Sequence, residues 1–182
     1  SESLVDAELA PLLRAWDSIA SSGPWQEAVY EYLDCVMQAL NRPAGIMARA
    51  GVTAYLLAVR EAPNQRAGPL QRLDQLLGNP GTQSQTIVMV ACRLAHFQQQ
   101  DPEWVASRIQ PLLLGKGARV ELCFWQGFLW QPTLTLSLWR TLKRSFLGAF
   151  PRWRQLGEYA GNLVRLLVQR AIYDPSELSF DE

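Results

Sequence analysis

Apolar side chains recur along this chain at spacings of three and four. Apart from short β-branched pairs, no segment alternates apolar and polar with period two. The pattern predicts helices throughout. The first runs from about Asp6 to Ala20, with Leu9, Leu12, Leu13, Trp16 and Ile19 on one side and its regular part beginning at Pro11. Ser21-Ser22-Gly23-Pro24 ends it and starts a second over Trp25–Leu40. Val29, Leu33, Val36, Met37 and Leu40 face inward there, with Glu27, Glu31 and Asp34 outward, and Asn41-Arg42-Pro43 stops the helix. A third, Gly45–Arg60, is rich in Ala and Gly, which lets neighbouring backbones approach closely.

Glu61–Pro69 reads as an exposed polar loop and Leu70–Leu77 as a short helix halted by Gly78-Asn79-Pro80-Gly81. One helix is expected from Thr82 to Gln100, with Ile87, Val90, Ala91, Leu94 and Phe97 as its stripe. Asp101-Pro102-Glu103 then reads as a helix start, the Asp101 side chain capping and Pro102 at the first helical position. Trp104, Val105, Ile109 and Leu112 follow before Gly115-Lys116-Gly117 turns the chain.

The stretch Arg119–Phe150 holds three of the seven Trp and four of the six Phe, with no charge between Glu121 and Arg140. We read it as two helices folded back on each other at Gln131-Pro132. Ala118–Trp130 is apolar on nearly every side, the mark of a helix buried all round. Its partner, capped by Thr133, carries the row Leu134, Leu138, Leu142 and Phe146. After Phe150-Pro151 a last long helix has the stripe Leu156, Ala160, Leu163, Leu167 and Ala171. The fold class expected is all-α: eight or nine antiparallel helices in an α-solenoid-like stack or irregular bundle. No fixed repeat period is legible. Residues 1–175 read as a single helical domain, and 176–182 as an acidic tail.

Composition narrows the function classes. Of 182 residues 48% are hydrophobic and 19% charged, which suits a globular domain able to bury a core. The 17 cations balance 17 anions, so no global charge pulls the chain to nucleic acid or lipid. Residues 1–91 sum to −3 and residues 92–182 to +3, a mild dipole. Three scattered Cys read as buried free thiols, and hence as a cytoplasmic protein. The acidic start SESLVDAELAP lacks a signal-peptide n-region, and the absence of Met at Ser1 suggests a domain cut from a longer protein. The uncharged run 122–139 is long enough to span a bilayer. Pro132 and five polar side chains argue instead for a buried hairpin.

Catalytic and cofactor motifs are missing. Cys92 and His96, at i and i+4, make two ligands where a zinc site needs four, and no orienting third group is in sequence range. Gly115-Lys116-Gly117 lacks phosphate-loop spacing and a leading strand. Gly157 and Gly161 form a GxxxG expected to mark a close helix crossing. The sharpest surface feature is Arg140, Lys143, Arg144, Arg152 and Arg154 with Trp139 and Trp153 interleaved. A solvated face, pairing with the acidic tail, and a protein interface anchored by Trp and Arg all fit it. Zero net charge speaks against a large phosphate footprint.

The run Phe124-Trp125-Gln126-Gly127-Phe128-Leu129-Trp130-Gln131-Pro132, with Leu142-Lys143, Phe146-Leu147 and Leu167–Pro175, resembles a helical domain of unknown function. That domain lies at the C-terminal end of large bacterial sirtuin-like proteins. The resemblance covers about Arg119–Pro175. It implies a part in an antiphage defence effector, in which an N-terminal domain consumes NAD and the helical region senses an invader or holds the assembly. This chain has no GxGxxG and no βαβ pattern, so NAD chemistry would belong to the parent. The expected partners are an invader protein or other domains of the parent, with homo-oligomerisation as the alternative. The expected contact residues are the seven of the basic group.

Overall fold

The computed structural model describes residues 10–11, 13–18, 34–113 and 118–173, and every regular element among them is helical. Helix α1 spans Cys35–Asn41, α2 Pro43–Glu61, α3 Ala67–Gly78, α4 Pro80–Ala91 and α5 Leu94–Gln100. Helix α6 is a continuous rod made of Pro102–Trp104, Val105–Ile109 and Gln110–Leu113. Then come α7 over Ala118–Trp130, α8 over Leu136–Ala149 and α9 over Ala160–Tyr173, with a 3₁₀ stretch, Phe150–Tyr159, leading into α9. The all-α expectation is met.

The centre of the fold is α4. It packs against α1, α2, α3 and α7, and from Ser84 to Ala91 each of its side chains is buried. Ile87, Val88 and Val90 supply apolar surface, and the buried threonine hydroxyls are satisfied by nearby carbonyls, whereas Gln85 Oε1 is buried without a hydrogen-bond partner. The Thr82 hydroxyl donates to the Leu76 carbonyl (2.6 Å) and the Thr86 hydroxyl to the Thr82 carbonyl (2.8 Å). A buried hydroxyl so bonded avoids the cost of an unpaired donor, which is how a polar helix start lies inside a core.

Against α4 runs α7, buried from Cys123 to Leu129 as its all-round apolar pattern predicts. The expected hairpin between α7 and α8 does not form along their lengths. Their backbones stay apart, and they meet through large rings such as Trp125 and Phe146, with centroids 5.7 Å apart. The five residues 131–135 separate them, and the cap of α8 is Thr135, not Thr133: its Oγ1 accepts from Leu138 N at 3.2 Å. Leu134, Leu138, Leu142 and Phe146 are all buried, as the row predicts.

Several boundaries differ from the pattern reading. Asp34 is extended (φ −62°, ψ 159°) and its carboxylate accepts from Met37 N at 2.7 Å. It therefore caps α1 and does not lie on the outer side of a continuous helix. The connection 61–69 is shorter than expected, since α3 already begins at Ala67 and Pro69 is buried. Cys92 and Arg93 break the expected helix 82–100 into α4 and α5, with Arg93 N bonded to Val90 O in a tighter turn. Asp101 does not cap with its side chain. Its carboxylate instead accepts from the Tyr55 hydroxyl (2.7 Å) and pairs with Arg66 (3.2 Å). The middle of α6 is π-helical, with Gln110 N bonded to Val105 O. Pro111 explains this: its ring would clash with the Ser107 carbonyl in a regular turn and offers it no N–H.

The expected last helix starting at Phe150-Pro151 is two elements. Gly157 (φ 59°, ψ −132°) breaks the 3₁₀ stretch from α9. Neither Gly157 nor Gly161 approaches another segment, so the GxxxG marks no helix crossing. The close crossing falls at Gly127, against the Val88 backbone.

Cys35 and Cys123 form a disulfide linking α1 to α7, with Cα atoms 5.1 Å apart, and Cys92 alone is free. This corrects the expectation of three free thiols. Helical spacing cannot reveal the pairing, because the two cysteines are 88 residues apart. Beside the disulfide, Cys35 N donates to Gln126 Oε1 (2.8 Å), and Gln126 Nε2 donates to the Gln155 carbonyl. The expected turn 115–117, the tail after Tyr173, and the parts of the first two predicted helices within 1–9 and 19–33 lie outside the described residues.

Candidate interaction surfaces

The seven residues expected to form a contact face divide between α8 and the 3₁₀ stretch. On α8, Leu138, Trp139, Leu142, Phe146 and Ala149 point inward, while Arg140 and Arg144, at i and i+4, are exposed and Lys143 is partly covered. Trp139 is fully buried, its ring edge-on to Phe146 at 5.4 Å. It therefore leaves the contact face and belongs to the core. Arg152 is half-buried and paired with Glu121 of α7, which ties the 3₁₀ stretch to α7. Trp153 is 51% exposed, with the Arg154 guanidinium 5.7 Å from its ring centroid, a cation–π contact. What remains as open surface is Arg140, Lys143 and Arg144 on one element and Trp153 with Arg154 on the next.

A second surface was missed by the pattern reading. On α9 the inward residues are Ala160, Leu163 and Leu166, and Ala171 is exposed. On its outer side Val164 is 53%, Val168 50% and Ile172 67% exposed, followed by an exposed Tyr173. These three stand at i, i+4 and i+8, one row along roughly 12 Å of helix. The signal was legible: the segment is apolar on two faces, and only one can pack on the body of the fold. The helix is held at its two ends. Asn162 Nδ2 donates to the Leu129 carbonyl at 2.8 Å, and Arg170 donates to the Leu134 carbonyl.

Cys92 and His96 do not share a helix, since the chain turns at Cys92–Arg93 and α5 begins at Leu94. The Cys92 thiol lies 3.0 Å from the Met89 carbonyl, to which it donates, and burial pushes its pKa up. His96 is exposed. Among the described residues no group of His, Cys, Asp and Glu could hold a metal ion. Nor is any helix there long and apolar enough to cross a membrane.

Compared with known proteins, the chain matches no family model, no curated protein and no solved structure.

Proposed function

We propose that this chain is a non-catalytic helical interaction domain that docks a protein partner through the outer row of α9. The observation that carries the reading is the exposure of Val164, Val168 and Ile172 on one face. A helix on a globular surface ordinarily presents polar residues opposite its buried face. Covering these half-exposed side chains stabilises a complex by roughly 1 kcal/mol each. An exposed ion pair contributes less, so the row outweighs the basic residues as an anchor. Arg165 lies on the exposed side, and α9 carries no acid. The partner it fits has an apolar centre and an acidic rim. Trp153 with Arg154, and the exposed cations of α8, are the side chains that would extend the contact.

The resemblance over Arg119–Pro175 supports placing this domain at the C-terminal end of a sirtuin-like antiphage defence protein. The partner is then an invader protein or another domain of the parent chain. A non-catalytic role is supported by the helix break at Cys92–Arg93, which takes Cys92 and His96 off one continuous helix face. A cytoplasmic setting rests on the resemblance alone, because Cys35 and Cys123 are bonded. The same aliphatic row favours one second reading, a self-assembly scaffold in which two copies of α9 pair.

Sedimentation of the domain and its Val168→Asp variant, with capture from infected lysate, separates the readings. A monomer whose captured partner is lost in Val168→Asp supports docking. Concentration-dependent dimers abolished by the substitution support the scaffold. No effect of the substitution on either measurement overturns both.

A further inference from the structure

A groove of about 240 Å³ lies where α2, the end of α4 and the end of α7 converge. Leu56, Met89 and Trp130 give it apolar walls, and Arg49 and Arg93 reach it from separate elements. We propose that this groove binds a small oxyanion, a carboxylate or a phosphate ester, carried on an apolar body.

Charge is the first argument. The lining includes two arginines and no acidic residue. Both arginines are exposed, and neither pairs with an acid among the described residues. The groove sits just past the C-terminal ends of α4 and α7. Each end contributes about half a negative charge. Two full positive charges exceed that, leaving an excess of about +1. Cys92, also in the lining, stays a neutral thiol because burial raises its pKa, so it does not offset the arginines.

Geometry is the second. Two guanidinium forks on different elements can grip one oxyanion from two sides, each offering paired N–H donors. Pockets for drug-sized ligands begin at about 300 Å³. The groove is smaller, so it suits an anion with a single ring or a short branched chain. The wall of Trp130, Leu56 and Met89 would cover that body and exclude a bare hydrated ion.

Calorimetry and thermal shift with phenylacetate, phenyl phosphate, 2-phenylethanol and acetate test this on the full chain. Phenylacetate or phenyl phosphate is expected to bind at least about tenfold more tightly than the neutral alcohol or acetate. Which of the two anions wins identifies the oxyanion. Arg49→Gln with Arg93→Gln should abolish binding without moving the melting temperature, since both side chains are exposed. Arg49→Lys with Arg93→Lys, which keeps the charge, should retain part of it. Absence of heat and thermal shift with either anion, equal binding of the alcohol, or undiminished binding by the double Gln variant overturns the proposal.

Discussion

A Cβ built on Gly127 would stand 2.6 Å from the carbonyl oxygen of Val88 and 2.7 Å from its Cα. Backbone, not a movable side chain, occupies the space, so α4 and α7 touch at a point only glycine permits. Replacing Gly127 with Ala must push the two central helices apart. The expected loss is about 1–3 kcal/mol, a drop in melting temperature of roughly 2–4 °C per kcal/mol for a domain of this size. Gly161→Ala, on open helix surface, serves as the control. It should be neutral or stabilising by up to about 1 kcal/mol. Thermal melts of the two variants decide it.

Gly157 needs glycine for the opposite reason. Nothing lies within 4 Å of an added Cβ, but its φ of 59° and ψ of −132° are closed to L side chains. Gly157→Ala should therefore destabilise by about 1–3 kcal/mol through backbone strain alone. Because this turn aims α9, limited proteolysis of the variant should cut first between the 3₁₀ stretch and α9. Unchanged melting and protection would remove the strain argument.

The bond between Cys35 and Cys123 joins segments 88 residues apart. Closing so long a loop restricts the unfolded chain, and a stabilisation of roughly 2–4 kcal/mol is expected. Thiol titration of the denatured, unreduced protein should count one free thiol, Cys92, and three after reduction. Reduction, or Cys35→Ala with Cys123→Ala, should lower the denaturation midpoint. A count of three before reduction would show the bond does not form.

Tyr55 and Tyr159 make stability fall in alkali. Burial foremost, then the hydrogen bond and charge of Asp101, raise the Tyr55 phenol above the ordinary tyrosine value. Burial, Asp34 and Glu158 raise Tyr159 likewise. In the unfolded chain both ionise near pH 10, while the folded chain holds their protons. Stability is then full below about pH 10 and declines as pH rises past it. Denaturation curves between about pH 9 and 11 should show this slope. Tyr55→Phe should flatten it by about one proton's worth and cost about 1 kcal/mol at neutral pH for the lost hydrogen bond. An unchanged slope in both Tyr55→Phe and Tyr159→Phe would refute the assignment.

The contact residues were partly legible because exposure follows from helical phase. Arg140 and Arg144 are exposed, as their offset from Leu138 and Leu142 requires. Trp139 could not be placed that way. It adjoins the apolar row, and its burial depends on Phe146 and the other rings around it. The row Val164, Val168 and Ile172 was visible as spacing, but which of two apolar faces packs depends on where α9 is anchored. The hydrogen bonds from Asn162 and Arg170 to α7 and the linker after it, residues far away in the chain, set that anchoring.

Local chemistry in the sequence determined the helical class, most helix starts and the buried side of α7 and α8. Spacing, proline at first turns and capping side chains act within a few residues. Tertiary structure alone decided that α4 is the hub, that α7 and α8 are not a packed hairpin, and that the chain breaks at Cys92–Arg93 without Gly or Pro. It also decided that Cys35 meets Cys123 and that Asp101 serves Tyr55 and Arg66 instead of its own helix. Each of these rests on contacts between distant segments, where packing and desolvation outweigh local preference.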